Sequence, residues 1–169
     1  MSKSVLYEQD KRIVKITLNR PDTRNALSGD IIEELVDYLN KADKDKNVGC
    51  IILTGAGKSF SSGGNLQEIK DMTTKDNMSL SELEDWYRFG IQRIPRTMNS
   101  IDVPIVAAVN GHAIGAGNDL CTMCDIRIAG EDAKFSESFL RIGIIPGDGG
   151  SWFLPKIIGL SRANEMILT

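Results

Sequence analysis

Short apolar runs typical of β-strands recur along the chain. Ile13 to Leu18 alternates between apolar and polar residues, which predicts a strand with one buried face. Gly49 to Thr54 and Ile105 to Val109 are almost continuously apolar, as strands are when a parallel sheet is covered on both faces. Ile126 to Ala129 predicts a fourth strand.

Helical periodicity fills the segments between these runs. Apolar residues recur at helical spacing from Ser28, a residue that can cap a helix, up to the charged cluster Asp43 to Asn47. Further helices are predicted over Leu66 to Met72, Ser81 to Met98 and Asn118 to Cys124. Pro95 is expected to bend or end the second of these.

The alternation of strands and helices predicts an α/β fold with right-handed parallel crossovers. The 169 residues suffice for one domain with a proper core, so residues 1–169 are treated as a single domain. The polar segment Thr73 to Ser79 is predicted to be mobile. The last predicted helix, Ser161 to Thr169, stops in the apolar pair Ile167-Leu168 without a glycine, so we expect a truncated chain.

Composition limits the possible partners. The net charge of −3 argues against nucleic acid, because phosphate binding needs a basic face. No apolar run is long enough to span a membrane, and Met1 to Arg12 is too polar for a secretory signal. Three cysteines, an odd number, fit a reducing compartment. We therefore expect a cytoplasmic protein that binds neither nucleic acid nor membranes.

Two glycine-rich turns carry the main chemical signal, namely Phe60 to Leu66 and Asn110 to Asp119. Each follows a predicted strand and leads into a segment that can be helical. Backbone N–H groups are free at a helix start, where the helix dipole is positive. Two such turns could direct two amides at one developing oxyanion, although tight strand-to-helix packing explains the glycines equally well on the residues alone.

Three other motifs favour structural roles. Gly55 to Ser59 resembles the end of a phosphate-binding loop, but Ile52 stands where that motif needs a glycine. Cys121 and Cys124 have the spacing of metal ligands, yet the chain has no second cysteine pair and only one histidine, so no metal site is predicted. That histidine, His112, lacks the serine elbow of a nucleophilic hydrolase.

Three acids are candidates for proton transfer. Asp119 lies two residues after the second glycine turn, where its carboxylate can complement the helix dipole or serve as a proton donor or acceptor in the same cleft as the amides. Glu137 and Asp148 also lie near glycine or small residues, and either can equally be a surface or capping group.

From Val5 to its last residue, the chain resembles the crotonase superfamily, the enoyl-CoA hydratase/isomerase family. No single motif is specific for this family, but the order and spacing of several motifs together are specific. The motifs are Asn19-Arg20-Pro21 with Asn25-Ala26-Leu27, Phe60 to Leu66, Asn110 to Asp119, Cys124 to Ala129, and Gly143 to Gly150.

The resemblance implies a crotonase-like spiral of ββα turns that binds an acyl-CoA thioester, with coenzyme A as part of the substrate and no separate cofactor. By the same resemblance, the amides of Gly64 and Ala116 form the oxyanion hole, and largely backbone groups hold coenzyme A. The implied coenzyme A contacts are Arg24, Ala26, Leu27, Ser62, Gly63, Asn65 and Leu66.

The acids depart from the family pattern. Family hydratases use two glutamates, and here the first position holds Asp119 and the second Phe139, which cannot move a proton. Glu137 is displaced by two residues from the second position, whereas Asp148 is a possible second acid if its loop folds over the acyl chain. A single carboxylate, Asp119, can still shuttle a proton between carbons, which suits double-bond isomerisation.

Two alternatives stay open beside a hydratase/isomerase. The first is a catalytically impaired crotonase-fold protein that binds acyl-CoA or acts as a scaffold. The second is a different reaction of the same enolate, such as thioester hydrolysis or decarboxylation. Family members are also usually longer, and the C-terminal helices that close the acyl pocket and assemble trimers are missing here. The resemblance thus implies a homo-oligomer, a trimer or hexamer, for a full-length form.

Overall fold

The computed structural model describes residues 3–74 and 78–169, and the segment predicted to be mobile includes positions 75–77, outside that description. The eight strands found there are β1 (Val5–Asp10), β2 (Ile13–Leu18), β3 (Cys50–Gly55), β4 (Ser59–Ser61), β5 (Ile105–Val109), β6 (His112–Ile114), β7 (Ile126–Ala129) and β8 (Phe135–Ser136). The helices are α1 (Gly29–Lys44), α2 (Leu66–Thr74), α3 (Leu80–Phe89), α4 (Arg93–Met98), α5 (Ala116–Thr122), α6 (Gly150–Ile158) and α7 (Leu160–Leu168), with 3₁₀ helices at Pro21–Thr23 and Ser138–Ile142.

The larger sheet contains five strands in the order β1-β2-β3-β5-β7. The pairs β2–β3, β3–β5 and β5–β7 are parallel, as predicted for an α/β fold. The first pair, β1–β2, is antiparallel, so the sheet is mixed. β1 was not predicted from the sequence. Only one residue of this strand, Val5, is buried, and the last three residues of the strand are polar.

A second sheet of three strands, in the order β4-β6-β8, runs beside the first. Each of its strands follows a strand of the larger sheet along the chain: β4 after β3, β6 after β5, and β8 after β7. This succession is the spiral that the family resemblance implies. It also corrects one expectation, since the predicted glycine turns, Phe60 to Leu66 and Asn110 to Asp119, include strand residues of β4 and β6.

The core lies between α1 and the larger sheet. Ile31, Leu35 and Leu39 are fully buried on one face of α1, at the spacing that the helical pattern predicts. Ser28 stands at the N-cap, but its hydroxyl donates to the Asp30 side chain and forms no capping bond to the backbone, so that detail was wrong.

Two predicted elements differ from the structure. In β3, Ile51 and Leu53 are buried while Ile52 is only half-buried, so this strand is not enclosed on both faces. The long helix predicted over Ser81 to Met98 is two helices, α3 and α4, and the break falls at Gly90. Pro95 sits in the first turn of α4, where the missing N–H removes no helical bond.

The start of α3 and the break after it have local causes. Ser79 and Glu82 form a reciprocal capping box at the α3 N-terminus. At Gly90, a Cβ atom would lie 2.4 Å from the Trp86 carbonyl oxygen, so only glycine allows the chain to turn there. Within the described parts of the chain, no helix has the length and apolar character needed to cross a membrane.

Candidate active site

The first glycine turn connects β4 to α2 and is fixed by the segment before α1. The Leu27 amide donates to the Gly63 carbonyl at 2.8 Å, and the Ser62 amide donates to the Arg24 carbonyl at 2.9 Å. Gly63 has a φ of +90°, a value that favours glycine. These bonds hold the turn against that segment, and Gly64 forms an isolated parallel bridge with Leu27.

The second glycine turn connects β6 to α5. Gly115 precedes the helix with φ +52° and ψ −124°, and Ala116 is the first helical residue, two positions earlier than predicted. A Cβ atom on Gly117 would lie 2.5 Å from the Ser61 carbonyl oxygen, so α5 packs directly against β4 through a glycine. Both glycine turns therefore serve tight packing as well as exposing amides.

The two turns lie against each other. A Cβ atom built on Gly63 would be 3.3 Å from the Ala116 nitrogen and 2.5 Å from the Ile114 carbonyl oxygen. Gly64 and Ala116 line the same cavity, which has a volume of about 250 Å³. Among residues 3–74 and 78–169, neither of these two amides donates a hydrogen bond. Two unpaired backbone donors thus share one cavity.

The rest of the cavity wall is mostly apolar. It is formed by side chains from both glycine turns, α2, α3 and the 3₁₀ helix that follows β8. The apolar lining residues are Leu66, Ile69, Ile114, Phe139, Ile142 and Ile144, and Tyr87, Arg141 and Asp148 add polar groups. An apolar chain with one polar end matches such a lining.

A second depression of about 480 Å³ adjoins this cavity and shares Ser62, Gly64, Leu66 and Ile114 with it. Of the residues predicted to contact coenzyme A, Arg24, Ala26, Ser62, Asn65 and Leu66 line this groove. Gly63 lies on the cavity wall instead. Leu27 lies in the core, and because its amide is already bonded to Gly63, its visible role is structural.

The three candidate acids come together, although they belong to different elements. Asp119 is in the first turn of α5, Glu137 precedes the second 3₁₀ helix, and Asp148 precedes α6. Their exposed fractions are 0%, 3% and 4%, respectively. Only Asp148 lines the cavity. Asp119, predicted from the sequence to be the acid-base group, lies one layer behind it.

Hydrogen bonding within this acid cluster is incomplete. The Asn118 side-chain amide donates to Glu137 Oε1. Both Asp119 oxygens, Glu137 Oε2 and Asp148 Oδ1 are buried without a donor from the described residues. The three carboxyls interact electrostatically with one another, and at least one proton is needed among them. Across the same described ranges, no group of three or more His, Cys, Asp or Glu is placed to hold a metal ion.

Burial raises the pKa of Asp119 most, and the neighbouring Asp148 and Glu137 carboxyls raise that pKa further. The pKa values of Asp148 and Glu137 are also raised, chiefly by burial. Gly150, the first residue of α6, touches Asp119, and the dipole of α6 favours the charged form of the Asp119 carboxyl by about 1 kcal/mol. That is less than the several kcal/mol needed to bury an unpaired ion.

Two residues that the sequence analysis did not single out hold the Asp148 turn. The Gln92 side chain donates to the Gly147 carbonyl at 2.9 Å. The Tyr87 ring lies 3.5 Å from a Cβ position on Gly147, and burial followed by the Asp148 and Asp119 charges raises the pKa of Tyr87 to about 12. In the sequence, Tyr87 is only one residue of the helix predicted over Ser81 to Met98, and no local pattern indicates its place in the cavity.

The motifs assigned structural roles lie away from the cavity. Cys121 and Cys124 are buried free thiols, and burial raises the pKa of each. His112 is exposed beside Lys58 in another surface depression.

Phe139, which occupies the second acid position of the family pattern, closes on Gly115 with its ring 3.7 Å from that residue's Cβ position.

Comparisons with known proteins show the family to which the chain is similar. The family model described as "Enoyl-CoA hydratase/isomerase" matches residues 8–169. A short-chain-enoyl-CoA hydratase of Clostridium acetobutylicum is 35% identical over 169 residues, covering 98% of this chain and 61% of the relative. A mitochondrial enoyl-CoA hydratase of Pongo abelii is 40% identical over 154 residues, covering 91% and 50%.

The fold agrees as well. The crystal structure of an enoyl-CoA hydratase from Bacillus anthracis superposes with a TM-score of 0.84 at 36% identity, covering 98% of this chain and 62% of that one. The chain thus spans between about half and three fifths of the length of the relatives it matches. The match extends over nearly the whole chain, and the chain belongs to the crotonase superfamily, in the enoyl-CoA hydratase/isomerase family.

Proposed function

We propose that the protein acts on acyl-CoA thioesters as an enoyl-CoA hydratase/isomerase-type enzyme, and that double-bond isomerisation is its main reaction. One observation carries this proposal. The unpaired amides of Gly64 and Ala116 line the same apolar cavity as one buried carboxyl, Asp148. Two donors and one proton acceptor around an apolar space are what an enolate reaction of a thioester requires.

In the proposed complex, coenzyme A lies in the groove beside the cavity and the acyl chain enters the cavity. Arg24 and Asn65 supply polar groups in the groove, and the shared residues Ser62 and Gly64 lie where groove and cavity meet. The thioester oxygen then accepts hydrogen bonds from the Gly64 and Ala116 amides. Each donor contributes about 3 kcal/mol to stabilising the enolate.

The proton moves between two carbons of the substrate. In a 3-enoyl-CoA, the Asp148 carboxylate accepts a proton from C2, and the electron pair of that C–H bond delocalises into the thioester carbonyl. The carboxyl then returns the proton to C4, and the double bond shifts from C3–C4 to C2–C3. The sequence analysis gave this role to Asp119; we transfer it to Asp148 because only Asp148 lines the cavity.

The cavity wall favours isomerisation over hydration. Hydration needs a water molecule held and activated on the wall, which family hydratases achieve with two acids, whereas here Phe139 occupies the second position. A carboxyl misplaced by about 1 Å can lower a rate about a hundredfold, so Glu137, which does not line the cavity, is a poor replacement.

The test compares conversion of a 3-enoyl-CoA with hydration of crotonyl-CoA, both followed by the absorbance of the conjugated thioester. Asp148→Asn should lower the isomerisation rate by about 10²-fold or more, the usual contribution of a positioned acid-base group. Asp132→Asn, which changes an exposed acid that lines neither the cavity nor the adjoining groove, is the matched control and should leave the rate unchanged.

Other outcomes separate the alternatives. If calorimetry shows tight acyl-CoA binding without turnover of either substrate, the scaffold interpretation replaces the proposal. If the thioester is hydrolysed or decarboxylated instead, the enolate reaction is a different one. If the protein neither binds acyl-CoA nor converts it, the acyl-CoA assignment is wrong.

Assembly and location also belong to the proposal. A homo-oligomer, a trimer or hexamer in a full-length form, follows from the family resemblance, and light scattering measures it directly. A cytoplasmic location stays a prediction from cysteine usage and the polar N-terminus, and one of the relatives is described as mitochondrial.

A further inference from the structure

Three buried carboxyls meet without a cation. Asp119, Glu137 and Asp148 are each at least nine-tenths buried, and the ion pairs formed within the described residues do not include them. The other titratable groups facing Asp119 are the Tyr87 hydroxyl on α3 and the Cys121 thiol on α5. Both are neutral at neutral pH, so neither balances a negative charge.

The three acids are not equivalent. Glu137 receives a hydrogen bond from Asn118, and Asp148 opens onto the cavity. Asp119 has no donor from the described residues to either oxygen and no exposed surface. A carboxyl without donors gains least from being ionised, so the first proton of the cluster belongs on Asp119.

The neighbouring helix fixes the direction of the Asp119 carboxyl. A Cβ atom on Gly150 would lie 2.1 Å from Asp119 Oδ1 and 2.6 Å from Oδ2. The carboxyl is therefore pressed against the start of α6, only two residues after Asp148 in the chain. Both of its oxygens therefore lie close to the segment that carries Asp148.

We propose that Asp119 is a positioning residue, which keeps its proton at neutral pH and donates it in a hydrogen bond to Asp148, so that Asp148 stays ionised and oriented towards the substrate. This inference rests on the proposed function. The proton on Asp119 does not reach the substrate; its hydrogen bond stabilises the charge on Asp148 and fixes the position of that side chain. Asp148 alone exchanges a proton with carbon.

Infrared spectroscopy of the protein without substrate tests where the proton is. At neutral pH the wild type should show the carbonyl band of a buried protonated carboxyl. Asp119→Asn should remove the band, whereas Asp148→Asn and Glu137→Gln should retain it. A band that persists in Asp119→Asn, or no band in the wild type, would overturn the inference, and neither result depends on turnover.

Enzyme kinetics give a second measurement. Asp119→Asn keeps a donor facing Asp148, so the kcat of that variant should stay within about threefold of the wild type. Asp119→Leu keeps the approximate size of the side chain but has no donor. Its kcat should therefore fall, and the acid limb of its pH profile should move up by about one unit or more, equal to a tenfold change in the ionisation constant of Asp148. Identical pH profiles for Asp119→Leu and the wild type would contradict the role.

The inference and the proposed function fail in different ways. If the wild type neither binds nor converts acyl-CoA, the proposed function fails whatever the infrared spectra show. If the wild type is active but Asp119→Asn abolishes turnover as completely as Asp148→Asn does, Asp119 itself transfers the proton and only the positioning role is wrong. Circular dichroism confirms that each variant is folded before it is compared.

Discussion

The two sides of the cavity are built on different principles. The donor side consists of main-chain amides from two turns, held by backbone contacts and by glycines that no larger residue can replace. Gly63 and Gly117, for example, each come within 2.5 Å of a carbonyl oxygen when a Cβ atom is added. The acid side consists of side chains from three distant segments, and burial decides their protonation.

This difference explains which part of the site tolerates change. A backbone donor requires only that the turn keeps its shape, so alanine at position 116 serves as well as glycine would. A carboxyl works only at one place and in one protonation state. The acid side can therefore be rearranged, with Asp148 on the wall and Phe139 in an acid position, while the donor side stays the same.

The largest effect is expected from removing one amide donor. Ala116 is the first residue of α5, a position where proline is well tolerated, so Ala116→Pro deletes the N–H with little change to the helix. Losing one donor of this kind should lower kcat by about 10²-fold or more, or about 3 kcal/mol. Steady-state kinetics with a 3-enoyl-CoA measure it.

Gly29→Pro is the matched control. Gly29 is also the first residue of a helix, has no atoms within 4 Å of its Cβ position, and lies outside the cavity. Its kcat should equal that of the wild type. If both proline variants lose activity equally, the effect comes from proline itself and the donor side is misassigned.

The next effect sharpens the account of the acid side. Because the pKa of Asp119 is raised in the folded state, folding binds a proton that the unfolded chain releases, and stability falls as pH rises above about 4. Asparagine carries no such proton. Asp119→Asn should therefore gain stability over the wild type by about 1.4 kcal/mol for each pH unit above about 4.

The pH dependence is the informative part of this measurement. The advantage of Asp119→Asn should shrink towards zero as pH falls to about 4, where the wild-type carboxyl is protonated in both states. Urea unfolding at several pH values measures it, with Asp132→Asn as the exposed control. A difference that is constant with pH would mean that the variant acts through packing alone.

The smallest effect tests the hydrogen bond between Gln92, which lies between α3 and α4, and the Asp148 turn. Gln92→Ala removes the hydrogen bond to the Gly147 carbonyl, so it should lower the free energy of unfolding by about 1 kcal/mol. Gln9→Ala removes only exposed hydrogen bonds and should change it by a few tenths. Equal effects would show that Gln92 does not support the turn.

Much of the frame was predictable because its signals are local. The bounds of β2, β5 and β7 agree with their apolar runs, and α1 begins one residue after its predicted cap. The two glycine turns were recognised from strand, small residues and helix in succession. Backbone geometry of this kind depends on neighbours in the sequence.

The rest depends on contacts between distant residues. The second half of β1 is polar, and the strand is held by its pairing with β2. The helix break falls at Gly90 because of a close approach to Trp86, which outweighed the proline signal. The order of Asp148 and Asp119 relative to the cavity follows from how α6 packs on α5, and no local pattern contains that information.

The most direct test concerns the thioester oxygen itself. A saturated acyl-CoA carrying ¹³C at the thioester carbonyl can be bound without reaction, and its carbonyl stretch can be read by isotope-edited infrared spectroscopy. Binding should shift the stretch to lower frequency, and Ala116→Pro should reverse a large part of that shift. If the carbonyl stretch of the bound thioester has the same frequency as in water, and Ala116→Pro does not change it, the claim that two amides converge on the thioester oxygen is wrong.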